Sequence, residues 1–301
     1  MRFQQTAEGL AVWAPAKLNL FLEVLSKRDD GFHELETLMA PIDLYDTLTL
    51  REEASGRIEF VLENATGRGP TSVPGDTLTE GPDNLVVRAL ELARDRLGVR
   101  RGVRASLLKR IPVASGLAGG SSDAAAALVG VCRLWQQTPD LQTLTAWAAA
   151  LGSDVPFFLV AGAAVCRGRG ERVEPVDAGP RLDLVVVRPP AGLSTAAVFG
   201  RCEPALSPAG VKPVCTAWQQ GRVDRLGRLL WNRLQPAAAR LSPWIDRLQG
   251  VFAAMDVLGH SLSGSGTSYF ALCRHARHAR HVAAQVRARN LGRVYVVRTG
   301  E

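Results

Sequence analysis

Residues Pro112 to Leu128 read PVASGLAGGSSDAAAAL, a run of glycine, serine and alanine set between two apolar stretches. With so little side chain the backbone of the loop is bare, and the continuation DAAAALVGVCRLW is a strong helix former. The fold must therefore deliver a nearly naked loop to the N-terminus of a helix. Two readings satisfy that requirement. Backbone N–H groups converge on an anion only where side chains are absent, and a helix start adds unpaired N–H groups and the positive end of its dipole, which suits a polyphosphate. The alternative is a structural turn capped by Ser121 or Ser122. No lysine follows the last glycine in a GK[ST] pattern, and the glycine spacing fails the dinucleotide fingerprint. A cation facing phosphates would come from a metal or from elsewhere in the chain. Asp123, in the first helical turn, suits the dipole but would repel a phosphate unless it faces away or sits by a cation.

The chain has 301 residues, 47% of them hydrophobic, enough for a sizeable core in one large domain or two smaller ones. A net charge of +7 fits nucleic acid, anionic lipid or a phosphorylated small molecule and selects none of them, because the arginines are spread along the chain. Cys132, Cys166, Cys202, Cys215 and Cys273 form no CxxC pair, and their odd number argues against a complete disulfide framework, so a reducing, cytoplasmic setting is expected. The start lacks the apolar core of a signal peptide, and no apolar run is long enough to span a bilayer.

From Val12 to Leu25 the alternation predicts a strand with one buried face, Lys17, Asn19, Phe21 and Glu23 opposite Leu18, Leu20, Leu22 and Val24. A turn at SKRDDGFHE, further extended chain, and a strand at RIEFVLE follow, then a surface loop over 64–83. Asp83 is expected to cap a helix that Gly98 ends, and GVRASLLKR is a strand feeding the small-residue loop. Beyond it the pattern predicts a helix near Leu141 to Leu151, the turn LGSDVPFFL, strands at GAAVCRG and RLDLVVVRPP, and two or three helices between Pro208 and Leu258. A strand, a tight turn, a strand, a helix and a strand close the chain. The division expected is 1–160, the part that carries the loop, and 161–301.

The small-residue loop resembles the phosphate loop of the galactokinase, homoserine, mevalonate and phosphomevalonate kinase superfamily. APAKLNLFLEVLSKRDDGFHELETLM near the start and LSGSGTSYFAL near the end are similar to its other two motifs. The first motif, with LGSDVPFFL, points to the branch that phosphorylates 4-diphosphocytidyl-2-C-methyl-D-erythritol in non-mevalonate isoprenoid biosynthesis. The resemblance covers most of the chain in the right order. It implies an α+β fold of two subdomains, an N-terminal ribosomal-protein-S5-like domain and a C-terminal ferredoxin-like α/β domain. It also implies ATP and Mg²⁺ as cofactors and a small-molecule partner in place of nucleic acid or membrane. Ala118 stands where the superfamily often has glycine, a change that a non-positive φ would tolerate.

Carried over residue by residue, the resemblance implies ATP contacts along Pro112, Val113, Ala114, Ser115, Gly116, Leu117, Ala118, Gly119, Gly120, Ser121 and Ser122. Lys17 would lie beside the hydroxyl being phosphorylated, and Asn19 would help to hold the substrate. Without the resemblance Lys17 reads as a solvated lysine, and Asp154 as a cap ahead of Pro156. The resemblance makes Asp154 the catalytic carboxylate, one that orients the hydroxyl more than it deprotonates it early, since phosphoryl transfer asks mainly for alignment and charge neutralisation. Phe32, His33 and Phe199 would supply aromatic walls and a polar reader for cytosine, against the plain reading of GFHE as a turn. His275, His278 and His281 recur every third residue without carboxylates and read as an exposed helix face. The rivals are another kinase of the superfamily, which GFHE argues against, and an RNA-binding module, which the basic charge favours and the lack of a base-stacking signature opposes.

Overall fold

The structure is a computed structural model that describes residues 1–7, 9–64 and 79–300, so most of the loop expected over 64–83 lies outside the described residues. Two sheets organise it. The first is built on two long antiparallel strands, β2 (Gly9–Lys27) and β3 (His33–Glu53), joined by the expected turn. β1 (Arg2–Thr6) extends one side, while β5 (Gly102–Lys109) and β4 (Ile58–Asn64) extend the other along the C-terminal half of β3. The N-terminal half of β3 pairs instead with β6 (Ala164–Gly168), and β6 with β7 (Arg172–Pro175). These two strands put the first sheet's end beyond the 160/161 division, and the chain enters the second sheet only with β8 (Asp183–Arg188). That second sheet is antiparallel, ordered β10 (Gly259–Leu262), β11 (Tyr269–Cys273), β8, β12 (Arg293–Arg298).

Helices α1 (Leu85–Leu97), α2 (Gly119–Leu134) and α3 (Leu141–Leu151) cover one face of the first sheet, with Ala124 to Leu128 of α2 fully buried against Val12, Leu48 and Leu50. Four successive alanines, Ala124 to Ala127, would be a weak core elsewhere; here Leu128 follows them, and their short side chains let α2 lie close on the sheet. A second core fills the space between the sheets: Ala16, Leu18 and Leu20 of β2 meet Leu184, Val186, Phe270 and Leu272. The third core lies under α7 (Gln235–Leu241), α8 (Pro243–Ala253) and α9 (Ala276–Ala288), against the opposite side chains of β8, Val185 and Val187. Besides the short α4 (Thr195–Phe199), the segment expected to hold two or three helices holds four, α5 (Lys212–Gln219), α6 (Val223–Arg228), α7 and α8. It also holds a short strand, β9 (Trp231–Asn232), that pairs in parallel with β2.

Three local expectations change. β2 is buried on both faces, because helices α1 to α3 pack on one part of it and the second sheet on the side of Ala16, Leu18 and Leu20. A register shift between Asn19 and Phe21 also breaks the simple alternation and puts Phe21 in the same core as Leu18 and Leu20. The cap of α1 is Asn84, whose side chain accepts from the Val86 N–H at 2.9 Å, one residue beyond Asp83. At α2 no side chain caps the helix: Ser121 and Ser122 lie inside it, and the N-cap position is Ala118 with φ of 54°.

Ala118 thus sits in the left-handed region, contrary to the expectation of a non-positive φ. That conformation costs a non-glycine residue about 1–2 kcal/mol, which exceeds what alanine gains over glycine by restricting the unfolded chain. Ala118→Gly is therefore expected to stabilise the protein by about 0.5–1 kcal/mol in denaturant unfolding, whereas a loss of stability would mean that the alanine methyl contributes packing that outweighs the strain.

Candidate active site

Three backbone segments meet at the small-residue loop. The Lys17 N–H donates to the Leu117 carbonyl at 3.1 Å, tying β2 to the loop. From the other sheet, the Ser268 N–H donates to the Ser115 carbonyl at 2.9 Å and the Ser263 hydroxyl to the Gly116 carbonyl at 3.0 Å. Gly116 has φ of +76°, and a Cβ there would lie 2.0 Å from the Ser263 carbonyl oxygen, so only glycine permits the closure. Gly119 has a different reason to be glycine: a Cβ would press on Ile111 at 2.9 Å, so packing beneath the loop requires it.

A cavity of about 980 Å³ opens where these segments meet. It collects Lys17, Asn19, Phe32, His33, Asp154 and Phe199, residues spread over more than 180 positions, together with Pro112 to Gly116 and Ala118 to Ser121. Leu117 and Ser122 do not reach it; both are fully buried in the protein. The uncapped start of α2 leaves its first N–H groups at the cavity, in contrast to α1 and α3, whose starts are closed by Asn84 and Asp140.

Lys17 is 3% exposed, so the solvated reading fails. Its ammonium donates to Asn19 Oδ1 at 2.6 Å and faces Asp154 Oδ2 at 3.6 Å, an ion pair that stops short of a hydrogen bond. Asn19 in turn donates to the Thr37 hydroxyl at 2.9 Å, and that hydroxyl donates to the Phe21 carbonyl at 2.5 Å. The lysine is thereby aimed by a chain of buried donors. Asp154 caps nothing: the short helical turn Pro156–Leu159 has Val155 at its N-cap and no side-chain cap. Instead its carboxylate, a third exposed, points at Lys17. At the other end of the cavity the rings of His33 and Phe199 lie 5.2 Å apart, and the Arg169 guanidinium sits 4.8 Å above the Phe32 ring. Burial, reinforced by the nearby Lys27 charge, lowers the His33 pKa and keeps its ring neutral, with one nitrogen to donate and one to accept.

Sequence reasoning passed over Lys109, Thr37 and Arg169, all of which line the cavity. Lys109 ends β5, where a lysine gives no local signal of burial, yet it is 9% exposed. Its ammonium donates to Asp46 Oδ2 and, at 2.7 Å, to Asp123 Oδ2. Asp46 also accepts the Arg110 and Ile111 N–H groups at 2.5 and 2.9 Å, whereas Asp123 Oδ1 has no partner. One cation shared by two buried carboxylates leaves one of them to hold a proton, and Asp123, which has the fewer donors, does so. Burial pushes its pKa up to about 8, with the Lys109 charge opposing the shift and Asp46 adding to it. Asp123 does not line the larger cavity, lining the adjoining smaller one instead, and in its neutral form it does not repel a phosphate on the loop. A smaller cavity of about 210 Å³ adjoins the first at Leu85 and Gly120 and is lined by Asn84, Val86 and Leu107.

The loop, the lysine–carboxylate pair and the two lobes define a small-molecule kinase of the GHMP class. Residues 84–162 match the GHMP kinases N terminal domain, and residues 216–291 the GHMP kinases C terminal domain. A 4-diphosphocytidyl-2-C-methyl-D-erythritol kinase of Pelotomaculum thermopropionicum is 41% identical over 288 residues, covering 95% of this chain and 96% of that one. The corresponding kinase of Exiguobacterium sibiricum is 36% identical, covering 96% and 97%. A crystal structure of 4-(cytidine 5'-diphospho)-2C-methyl-D-erythritol kinase superimposes with a TM-score of 0.78 at 35% identity, over 97% of this chain and 99% of that one. Homoserine kinase from Cytophaga hutchinsonii shares the fold, with a TM-score of 0.73 at 22% identity. The chain belongs to the 4-diphosphocytidyl-2-C-methyl-D-erythritol kinase family.

The proton on Asp123 has a measurable consequence. Between the ordinary aspartate pKa of about 4 and about 8 the native state binds more protons than the unfolded chain, so this group's contribution to stability falls as pH rises through that window and levels off above it. Asp123→Asn, neutral at every pH, should therefore gain stability over wild type progressively from pH 5 to 8 in paired melting curves, and a pH-independent difference would place the proton elsewhere.

Proposed function

We propose that the protein transfers the γ-phosphoryl group of ATP to the 2-hydroxyl of 4-diphosphocytidyl-2-C-methyl-D-erythritol. The observation that carries this reading is the buried Lys17 ammonium facing the half-open Asp154 carboxylate at 3.6 Å, at the rim of an uncapped helix start and in one cavity with the His33–Phe199 aromatic pair. ATP phosphates would lie on the loop from Pro112 to Ser121, whose N–H groups and helix dipole receive negative charge. The adjoining smaller cavity, walled by Leu85, Val86 and Leu107, suits the adenine.

Mg²⁺ leaves most of its octahedron to phosphate oxygens and water, so it needs few protein ligands. Among the described residues no three or more His, Cys, Asp and Glu side chains converge as a metal cage, and the Ser121 hydroxyl and Asp154 carboxylate are oxygen donors lining the cavity, a set that fits such an ion. When bound it would neutralise the phosphates. The chain's own residues do the rest. Lys17 draws negative charge toward the acceptor side, and Asn19 and Thr37 fix its direction. Asp154 accepts the hydrogen bond of the substrate hydroxyl, aligns it, and takes its proton as the oxygen–phosphorus bond forms. Phe32 and Phe199 flank the cytosine, and neutral His33 reads its edge. A reducing cytoplasm suits the five free cysteines.

Coupled ADP release over a panel of hydroxyl substrates tests the reading: turnover of the cytidyl substrate alone is expected, and turnover of homoserine or mevalonate in its place would reassign the enzyme. Asp154→Ala and Lys17→Ala should each lower kcat by about 10²-fold or more with the fold intact, and a folded variant with wild-type turnover would remove that residue from the mechanism. His33→Ala leaves a buried base edge unpaired and is expected to weaken cytidyl-substrate binding by about 1–3 kcal/mol and to erode the preference over the uridyl analogue. ATP affinity should hold; a loss confined to ATP would move the aromatic pocket to the nucleotide.

A further inference from the structure

Asn232 lies on β9, outside every motif read from the sequence, and is 4% exposed. Its side chain is fully engaged. Nδ2 donates to the Leu262 and Gly264 carbonyls, both at 2.8 Å, and Oδ1 accepts the Leu234 N–H at 2.9 Å. Two carbonyls on one side and an N–H on the other leave a single orientation for the amide. The two carbonyls bracket the start of the turn Ser263–Gly266, the same turn whose Ser263 hydroxyl holds the Gly116 carbonyl. Gly264 has φ of +55°, and a Cβ there would stand 3.1 Å from the Gly116 oxygen and 3.2 Å from the Lys17 ammonium. The turn is thus pressed directly against the phosphate loop and the cation, and Gly264, Ser265 and Gly266 line the cavity.

Asn232 is itself fixed from behind. β9 pairs with β2 at Phe21 and Leu22, and the Arg233 N–H donates to the Leu22 carbonyl at 2.9 Å. The wholly buried Glu23 accepts from the Arg233 guanidinium at 2.6 and 3.1 Å and from the Trp231 indole at 3.2 Å. One strand, β2, therefore positions Lys17 directly and the opposing turn through β9. In a trans peptide the carbonyl and the following N–H point to opposite sides, so holding the Gly264 carbonyl also sets the direction of the Ser265 N–H.

We propose that Asn232 is a positioning residue for phosphoryl transfer, acting through the Ser263–Gly266 turn to set the wall of the cavity against which the transferred group moves. The inference rests on the reading of this cavity as the kinase site. Asn232 does not line the cavity, so its loss misplaces a wall without removing a side chain from the site. Asn232→Asp keeps the shape and the Leu234 bond, removes both donors, and sets a carboxylate against two carbonyls; Asn232→Ala removes the donors without adding charge.

Steady-state kinetics per folded molecule and hydrogen exchange of the turn amides test this together. The expected result is a fall in kcat of about 10-fold or more in Asn232→Asp and a smaller fall in Asn232→Ala, with both KM values within about 2-fold of wild type. Exchange over residues 263–268 should be faster in both variants. If the aspartate prevents folding, the alanine variant is judged by the same split. Unchanged kcat, or a loss carried by KM, overturns the inference. If wild type turns over another hydroxyl substrate in place of the cytidyl one, the substrate assignment falls by itself, and the same split of kcat against KM measured on that substrate decides this inference.

Discussion

The approach of the Ser263 carbonyl to Gly116 is the contact on which the site depends. Bare backbone on both sides lets a turn from the second sheet sit on the phosphate loop of the first, and hydrogen bonds from Ser263 and Ser268 hold the two together. Everything chemical follows from that junction. Lys17 reaches the cavity because its own N–H is pinned to the loop, and the start of α2 stays open because the residue at its cap is a strained alanine instead of a serine.

Charge is managed at two depths. At the cavity, Lys17 and Asp154 face one another at a distance that leaves the carboxylate able to accept a hydroxyl. Beneath the loop, Lys109 joins Asp46 and Asp123, and the proton on Asp123 leaves that cluster with no net charge. A buried ion pair is weak evidence of stability in its own right, since desolvation offsets much of its attraction. Its value here is geometric: it binds the end of β5, the middle of β3 and the second turn of α2 around the one point where the backbone must not drift.

Much of this was legible in the sequence where the signal is local. The small-residue loop, the helix at Leu141–Leu151 and the closing strand–turn–strand–helix–strand order follow from residue type and period, and they stand where expected. The signals failed where tertiary structure decides. Alternation in β2 implies one exposed face, but the second sheet packs on the leucine face, while Lys17, Asn19 and Glu23 on the other are buried among Asp154, Thr37 and Arg233, partners distant in sequence. A serine beside a helix start reads as a cap, and the left-handed turn at Ala118 that moves both serines into the helix has no sequence marker. Lys109 and Asn232 were missed for the same reason, since a lysine ending a strand and a lone asparagine between Trp231 and Arg233 acquire their meaning from partners more than 25 residues away.

The core between the sheets has a consequence for how the cleft handles water. Ala16, Leu18 and Leu20 of β2 belong to the same packed layer as Leu184, Val186 and Phe270, and β9 locks the far end of the same strand. Two lobes joined by one packed apolar layer resist hinge motion across it, which favours a cleft that keeps its shape as the reactants enter. Asp154 then meets solvent whenever nucleotide binds first, and a water molecule can occupy the place of the acceptor hydroxyl. Protection against wasteful ATP hydrolysis therefore falls to the acceptor itself, which must fill the space and displace that water, and to the exactness of alignment that a small, mobile water cannot match.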